Sequence, residues 1–334
     1  MQQSADWQHD ALGAVCFTTA NEGKCSWNTI ELPCLQIPMR CLGGDSTICE
    51  SWQSNGTYEQ GSAGAIRYRY HHDVLFGVIV QSEDEFATDG ELTPLRLAAE
   101  SAYRHIFALL DTLKFSYPFR FWNYLADING NSFGLERYRQ FNLGRQDAFL
   151  AHSRSQTGNI PAACALGYPQ GPLQIAFLAG KTAPTAIENP RQISAYEYPK
   201  QYGPSSPLFA RACVARFEHG EVLFISGTAS IVGHETLHQG DVTAQTRETL
   251  TNIEALLAEA NRAMGQVKFR LSDLHCKVYV RNPCDLGQIQ TELLRYMGGS
   301  LDAIFLQADI CRHDLLVEIE AIARYASHGK YARV

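Results

Sequence analysis

The stretch EVLFISGTASIVG (residues 221–233), followed by DVTAQTRETLTNIEALLAEANRAM (residues 241–264), decides the fold. The first segment is an apolar run of the length of a β-strand, with serine and glycine in its middle. The second has apolar residues at helical spacing, namely Val242, Leu250, Ile253, Leu257, Ala260 and Met264. Asp241, directly before it, is a natural helix N-cap. Together they predict a strand that leads into a long amphipathic helix.

The flanking sequence extends this unit on both sides. ARACVARF before it predicts a second strand, joined to the first by the turn Glu218-His219-Gly220. After the helix, KVYVR (277–281) predicts a strand, and DLGQIQTELLRYMG (285–298) predicts a helix closed by Gly298. DAIFLQADI and LLVEIEAIARYA predict a final strand pair. The second half therefore has the order strand, strand, long helix, strand, helix, strand, strand.

The first half of the chain has nearly the same order. Its segments are a strand pair AIRYRYHHDVLFGVIV, a helix LTPLRLAAESAYRHIFALLDTLKF capped by Thr93 with Pro94 in its first turn, a strand PFRFWNYLADIN, a helix ERYRQFNLGRQDAFLAH, and strands ACALG and LQIAFLAG. Residues 1–60 read as short strands and loops, and residues 188–207, with four prolines, as an ordered connector. We expect an α+β protein with a degenerate N-terminal domain over 1–185 and a related C-terminal domain over 186–334. A chance coincidence of a common α+β order is the alternative.

Composition excludes several classes of protein. The 334 residues are 45% apolar and 19% charged, which is typical of a folded chain. The net charge of -7, without a long basic run, argues against a nucleic-acid partner. No apolar run approaches the roughly 18 residues of a membrane span. The beginning MQQSADWQHD lacks the features of a signal peptide, so we expect a cytoplasmic protein without a membrane partner.

Cysteines and histidines raise the question of disulfides or a metal. The ten cysteines include no Cys-x-x-Cys pair, and without a secretion signal we expect free thiols and no zinc knuckle. The run from His234 to His238 matches His-Glu-x-x-His, which binds zinc only on a helix. Gly233 and Gly240 bracket it, and a new helix begins directly after it, so we interpret it as a loop. We therefore expect no metal.

Residues 208–327 resemble the RidA/YjgF family. The matching positions are Ser226-Gly227, Gln245-Thr246, Asn252-Ile253 and Val317-Glu318-Ile319. The resemblance implies a RidA/YjgF-like (chorismate-mutase-like) fold for the C-terminal domain. Glu318 and Glu320 alternate on one face of a strand, and the resemblance selects Glu318 as the carboxylate of the pocket. Imine deaminases of this family hold the substrate carboxylate with an arginine fifteen residues earlier. Ala303 stands there, so deaminase activity is not expected.

A second resemblance covers most of the chain. The connector from Glu188 to Tyr196 and on to Ala212, the run from Ser226 to Glu235, and Cys311 seven residues before Glu318 are similar to chorismatases. Trp122-Asn123-Tyr124 and the stretch from Phe141 to Arg145 are similar as well. The resemblance implies conversion of chorismate into pyruvate and a hydroxybenzoate. This reaction needs no metal, nicotinamide or flavin, and the sequence has no Gly-x-Gly-x-x-Gly or P-loop motif, so we expect no cofactor.

The chemistry of that reaction assigns candidate residues. Chorismate carries two carboxylates, which planar guanidinium groups bind in bidentate fashion, so Arg211 and Arg145 are the candidate ligands, with Tyr202 as a hydroxyl donor. Loss of pyruvate needs a proton on the enol-ether carbon, and a buried Glu318 that stays protonated can supply it. By resemblance, Gly227 and Cys311 mark the type of chorismatase that releases 3-hydroxybenzoate, with 4-hydroxybenzoate as a further product in some relatives.

Two other functions stay open at this point. A RidA-type enamine or imine deaminase would use the same fold, and a non-catalytic binder of small metabolites would use the same pocket. Domains of the RidA type usually form trimers. An additional N-terminal half could cover the surfaces involved, so we expect a monomer, with a trimer as the alternative.

Overall fold

The structure is a computed structural model that describes residues 10–19, 32–44, 47–53, 57–86, 92–154, 160–218, 220–299 and 301–326. The helices are α1 Pro94–Leu113, α2 Arg137–Ala151, α3 Val242–Met264 and α4 Leu286–Tyr296. The strands before the connector are β1 Ala11–Thr18, β2 Cys34–Ile37, β3 Thr47–Gln53, β4 Glu59–Ala63, β5 Ile66–His71, β6 Val74–Gln81, β7 Tyr117–Ala126, β8 Asn131–Ser132, β9 Leu135–Glu136, β10 Ala162–Tyr168, β11 Leu173–Gly180 and β12 Thr185–Ile187. Those after it are β13 Ala212–Phe217, β14 Gly220–Thr228, β15 Ile231–Val232, β16 Glu235–Thr236, β17 His275–Val280, β18 Asp302–Gln307, β19 Asp309–Ile310 and β20 Val317–Ala326.

The two halves share one topology. Within the described residues, the first large sheet has the order β19-β10-β7-β11-β6-β5-β4 and the second has β12-β13-β14-β20-β17-β18. The core of the first, β10-β7-β11-β6-β5, matches β18-β17-β20-β14-β13 of the second, element for element along the chain. The pairs β7–β10 and β17–β18 are both parallel, and each is linked by a helix, as a parallel pair requires. The predicted α+β fold with two related halves is confirmed.

The boundary after residue 185 stays a prediction. Strand β12 begins at that residue and pairs with β13, so it already belongs to the second sheet. Strand β19, from the second half, adds to the edge of the first sheet beside β10. Strand β12 thus precedes the connector but belongs to the second sheet, and β19 follows the connector but belongs to the first.

The predicted final strand pair is wrong in its adjacency. Strands β18 and β20 both neighbour β17, one on each side of it. The reason lies in the connections, because the crossover through α4 returns β18 parallel to β17 and leaves the opposite edge of β17 for the antiparallel β20. His219, part of the predicted turn before β14, lies outside the described residues.

Both long helices begin at the predicted caps. The side chain of Thr93 accepts a hydrogen bond from the backbone of Arg96, with Pro94 in the first turn, and that of Asp241 accepts one from Ala244 at 2.9 Å. These bonds satisfy donors that the start of a helix leaves without an intrahelical partner.

The sheets pack face to face between two layers of helices. Helices α1 and α2 cover the outer face of the first sheet, and α3 and α4 cover that of the second. The core between the sheets contains Phe17 of β1, Trp122 of β7, Phe224 of β14 and Tyr279 of β17. The small sheet β2-β1-β3 therefore closes the side of the same core. None of the helices in the described residues is long and apolar enough to cross a membrane.

The cysteine prediction needs a correction. Cys16 of β1 and Cys49 of β3 face each other across antiparallel strands, with Cα atoms 4.0 Å apart, and form a disulfide. Strand pairing brings together two residues whose spacing in sequence carries no signal. Seven other cysteines of the described chain are free thiols, and Cys25 lies outside the described residues.

Candidate active site

A cavity of about 630 Å³ opens between the two halves. Its walls come from the connector, from the first turn of α2, from the end of β14 and from the turn that leads into β20. It contains five of the six residues selected from the sequence, namely Tyr202, Arg211, Gly227, Cys311 and Glu318. The fold thus brings together segments that lie more than a hundred residues apart.

Glu318 is the buried acid of this cavity. It lies near the start of β20, opposite Tyr279 of β17, and is 3% exposed. Burial, reinforced by the charge of Glu320, raises the pKa of Glu318 to about 8, against the opposing effect of Arg120 and Arg281. The carboxyl group is therefore mainly protonated at neutral pH and can act as a proton donor.

Gly227 makes room for that carboxyl group. A Cβ atom at this position would lie 2.0 Å from Oε1 of Glu318 and 3.3 Å from Cβ of Cys164. A residue larger than glycine would therefore have to move the Glu318 carboxyl. The serine-glycine pair in β14 is thus explained by the close approach of β20.

Glu320 has the opposite electrostatic environment. Its carboxylate pairs with Lys277 at 2.7 Å, forms an ion pair with Arg120, and accepts a hydrogen bond from Nε1 of Trp122 at 3.1 Å. Burial alone would raise the pKa of Glu320, but Lys277 and Arg120 lower it to about 2. Two carboxyl groups on one face of β20 thus differ in charge, because only Glu320 forms ion pairs with cationic side chains in the described residues.

Cys311 borders the cavity as a neutral thiol. Burial and the nearby Glu318 raise its pKa to about 12. The thiolate is the nucleophilic form of cysteine, so a group with this pKa is poorly suited to covalent catalysis. Its effect on a ligand is therefore one of shape.

Arg211 presents an incompletely bonded guanidinium to the cavity. It lies directly before β13 and is 5% exposed. One terminal nitrogen donates to the carbonyl of Ile193 and to the hydroxyl of Tyr198, both at 2.7 Å. Its Nε is buried with no hydrogen-bond partner among the described residues. A buried donor of this kind suits an anionic ligand.

Arg145 does not line the cavity in the described part of the chain. It lies on α2 and is 2% exposed, with a terminal nitrogen bonded to Asn142 at 3.1 Å and the guanidinium 5.1 Å from the Phe141 ring centroid. The sequence suggested this residue because it follows the motif of Phe141 and Asn142. Helical geometry turns its side chain toward the interior of the first half.

Tyr202 and the His-Glu-x-x-His run form one wall. The run, interpreted from the sequence as a loop, lies in the short hairpin of β15 and β16 and the turn after it, so its histidines do not share a helical face. The hydroxyl of Tyr202 and Nδ1 of His234 are 3.1 Å apart, while His238 contacts Glu248 at 3.2 Å. No group of three or more metal-ligating side chains occurs in the described ranges.

Sequence reasoning did not select most residues of the cavity wall, and Tyr138, Tyr198 and Arg312 are among those it missed. Tyr198 lies within the connector motif, and Arg312 directly follows Cys311. Both therefore lie in or next to segments that carry the resemblance to chorismatases, which did not select them. Tyr138, at the start of α2, had no sequence signal of its own. Burial raises the pKa of its hydroxyl, which is therefore a neutral donor.

Comparisons with known proteins cover nearly the whole chain. Residues 50–179 match the family described as Chorismatase FkbO/Hyg5-like, N-terminal, and residues 206–325 match the family Endoribonuclease L-PSP. A 3-hydroxybenzoate synthase of Streptomyces hygroscopicus is 35% identical, over 93% of this chain and 91% of its own. A chorismatase of Streptomyces rapamycinicus is 35% identical over 83% of each chain. The crystal structure of a chorismatase superimposes with a TM-score of 0.82 at 31% identity, over 96% of this chain and 95% of that one.

Proposed function

This chain belongs to the chorismatase family, and on that premise we propose that it converts chorismate into 3-hydroxybenzoate and pyruvate. The observation that carries the proposal is the pairing, in one cavity, of a protonated carboxyl at Glu318 with a partly unbonded guanidinium at Arg211. A proton donor and an anion ligand are the two groups that an enol-ether dicarboxylate needs. The proposal includes 4-hydroxybenzoate as a minor product of the same chemistry.

Binding rests on Arg211 and Tyr202. The guanidinium of Arg211 is held at the cavity wall by Ile193 and Tyr198, and its Nε has no hydrogen-bond partner in the described residues. The hydroxyl of Tyr202 donates to the substrate when His234 is the donor in the bond between the two. The cavity of about 630 Å³ is of the size that accommodates small-molecule ligands.

Glu318 is the proposed general acid. It transfers its proton to the methylene carbon of the enol ether, which places positive charge on the ether carbon and weakens the bond from the ring carbon C3 to oxygen. That bond then breaks, and pyruvate leaves with the bonding electrons. The C4 hydroxyl oxygen of the substrate bonds to C3 and returns a proton to the Glu318 carboxylate.

The C4–O bond of the resulting epoxide then breaks, and the oxygen stays on C3 and takes up a proton. C3 loses its hydrogen as a proton, so the ring becomes aromatic and 3-hydroxybenzoate is formed. The atoms of chorismate equal those of 3-hydroxybenzoate plus pyruvate, so the route consumes no water and no cofactor. Gly227 and Cys311 support the assignment of 3-hydroxybenzoate as the product, because both border the cavity that contains Glu318. The absence of a side chain at Gly227 also leaves room for the Glu318 carboxyl. An oriented internal nucleophile has an effective concentration on the order of 10⁵ M or more, which favours attack by the substrate hydroxyl over attack by water.

Chromatography of the products tests the proposal. The purified protein is incubated with chorismate, and pyruvate and the aromatic acid are quantified. We expect equal amounts of pyruvate and hydroxybenzoate, with 3-hydroxybenzoate in excess over 4-hydroxybenzoate. A parallel assay with an enzymatically generated imine examines the deaminase alternative, for which Ala303 offers no cationic side chain. Imine turnover without chorismate turnover would contradict the proposal.

A further inference from the structure

The small sheet β2-β1-β3 carries three cysteines on one face. Phe17 of β1 packs into the core between the large sheets, so the neighbouring Cys16 lies on the opposite, outer face of the small sheet. Cys49 of β3 is directly opposite Cys16 and forms the disulfide with it. In β2 the core residue is Leu35, and Cys34 before it packs against a separate apolar cluster on the outer side. Each of the three strands therefore places one sulfur on the same face.

Cys34 is in contact with the disulfide without being part of it. Its Sγ lies 3.8 Å from Sγ of Cys16, and its side chain is half-buried. Arg67 of β5 donates to the backbone carbonyl of Cys34 at 2.9 Å, which fixes β2 at this residue. Cys16 is only 3% exposed, so a thiol from solution reaches it poorly. A neighbouring thiol that is already in place has a far higher effective concentration.

The order of the strands provides the geometry for exchange. Strand β1 is central, with β2 on one side and β3 on the other. Cys34 and Cys49 therefore approach Cys16 from opposite sides. Displacement at a disulfide sulfur requires this arrangement, because the attacking sulfur and the leaving sulfur lie on opposite sides of the sulfur between them.

We propose that Cys16, Cys34 and Cys49 form a thiol–disulfide exchange site, in which Cys16 is bonded in turn to Cys49 and to Cys34. Cys34 loses its proton, and its thiolate forms a bond to Sγ of Cys16. The bond from Cys16 to Cys49 breaks, the electron pair leaves with Sγ of Cys49, and that thiolate takes up a proton. One disulfide and one thiol are present before and after the step, so it consumes no oxidant or reductant.

The exchange moves a covalent link from one strand to another. In the first state β1 is bonded to β3, and in the second it is bonded to β2. Glu50, the residue after Cys49, pairs with the buried Lys277 of β17 at 2.6 Å. The state of the three sulfurs thus decides whether the strand that carries Glu50 has a covalent attachment. None of the three cysteines lines the cavity in the described residues, and the proposal does not depend on the proposed function.

Alkylation of the native protein tests the exchange. The wild type is oxidised with glutathione disulfide, freed of small thiols and disulfides, and incubated with iodoacetamide before acid quenching and peptide mass spectrometry. We expect two products, one with Cys34 alkylated and Cys16 bonded to Cys49, the other with Cys49 alkylated and Cys16 bonded to Cys34. In Cys34→Ser the alkylation of Cys49 should be at least about tenfold slower, because the internal nucleophile is absent.

The controls separate internal exchange from other routes. The rate at which Cys49 is alkylated should not depend on protein concentration, and Cys284→Ser, which changes an exposed cysteine, should give the wild-type products. Wild-type protein without a peptide that joins Cys16 to Cys34 overturns the proposal, as does Cys34 paired only with Cys25. Equal alkylation of Cys49 in Cys34→Ser also overturns it. Circular dichroism checks folding, and where Cys34→Ser does not fold, the wild-type peptides decide alone.

Discussion

At the scale of single residues, the protonation state of Glu318 is set by its surroundings. Burial and the charge of Glu320 raise its pKa to about 8, so the group is protonated below that pH and ionised above it. A general acid works only in its protonated form. We expect kcat/KM for chorismate to stay level in the neutral range and to fall on the alkaline side with an apparent pKa near 8. The measurement is a rate profile at constant ionic strength, and a profile that is flat across this pH would remove Glu318 from the role of acid.

Gly227 and Cys311 decide the product in this account. Alanine at position 227 would bring a Cβ atom to 2.0 Å from the Glu318 carboxyl and displace that carboxyl. Alanine at position 311 would enlarge the space beside the ring of the bound substrate. Neither residue can hold a carboxylate. We expect the double variant Gly227→Ala, Cys311→Ala to release a dihydroxy-cyclohexadienoate in place of some or all 3-hydroxybenzoate, with KM changed only a few-fold.

Product chromatography in water enriched in heavy oxygen checks this prediction. The wild type should place little label in the phenolic oxygen, because that oxygen comes from the substrate. Cys284→Ala, which changes an exposed cysteine, should leave the product unchanged. An unchanged product in the double variant would contradict the role of these two residues, and heavy label in the wild-type phenol would exclude the internal route.

At the residue scale, a strand fixes the face on which each of its residues lies, which is how a position at the cavity can be predicted from sequence. Glu318 and Gly227 lie on strands, and the structure places both at the cavity. Arg145 lies on a helix, where sequence spacing does not distinguish a cavity wall from the interior of the first half. Arg312 follows β19, whose position depends on pairing with β10 of the other half, so its place could not be read from local sequence.

At the scale of secondary-structure elements, a buried charge cluster joins three sheets. Lys277 of β17 pairs with Glu320 of β20 at 2.7 Å and with Glu50 of β3 at 2.6 Å, and Arg120 of β7 pairs with Glu320 as well. Removing one member leaves the others buried without compensation. We expect Glu320→Gln to lower the free energy of unfolding by about 3–5 kcal/mol.

Urea denaturation followed by tryptophan fluorescence measures this loss. The matched control is Glu259→Gln on α3, which breaks the pair with Arg262 at the surface and should change the free energy of unfolding little. A loss below about 1 kcal/mol for Glu320→Gln would show that the cluster contributes little to joining the sheets.

The hairpin that contains His234 carries a prediction about metals. The two histidines of the run serve other contacts, His234 with Tyr202 and His238 with Glu248, and the run is not helical. Protonation of an enol ether by a carboxylic acid needs no Lewis acid. We expect activity with chorismate to survive exhaustive treatment with EDTA. Loss of activity that zinc restores would contradict both the interpretation of the run and the metal-free mechanism.

Elements with local signals were predictable, and their pairing was not. The starts of α1 and α3 follow from Thr93 and Asp241, whose side chains bond to the first turn of each helix. The order of β17, β18 and β20 depends on a crossover, and the Cys16–Cys49 disulfide depends on the register of β1 with β3. Both are properties of tertiary structure that no periodicity in the sequence encodes.

At the scale of the whole molecule, the two halves share a topology but not the catalytic group. Glu318 of β20 lies opposite Tyr279, and Gln174 of β11 lies opposite Tyr124 in the corresponding register of the first half. Glutamine cannot donate a proton as an acid, so the first half has the corresponding strands but no carboxylic acid at this position. That half instead contributes Tyr138 to the cavity and packs against the second sheet. A monomer stays the prediction for this chain, with a trimer as the alternative.

The proton transferred by Glu318 can be followed directly. Wild type and Glu318→Gln are each incubated with chorismate in deuterium oxide, and the products are examined by nuclear magnetic resonance, with Glu259→Gln as control. The wild type should give equal amounts of 3-hydroxybenzoate and of pyruvate with one deuterium in its methyl group. Glu318→Gln should bind chorismate but turn it over about 10²–10⁴-fold more slowly, because an amide keeps the size of the acid and cannot supply its proton. Deuterated pyruvate formed by Glu318→Gln at the wild-type rate, or chorismate left intact by the wild type, would contradict the account.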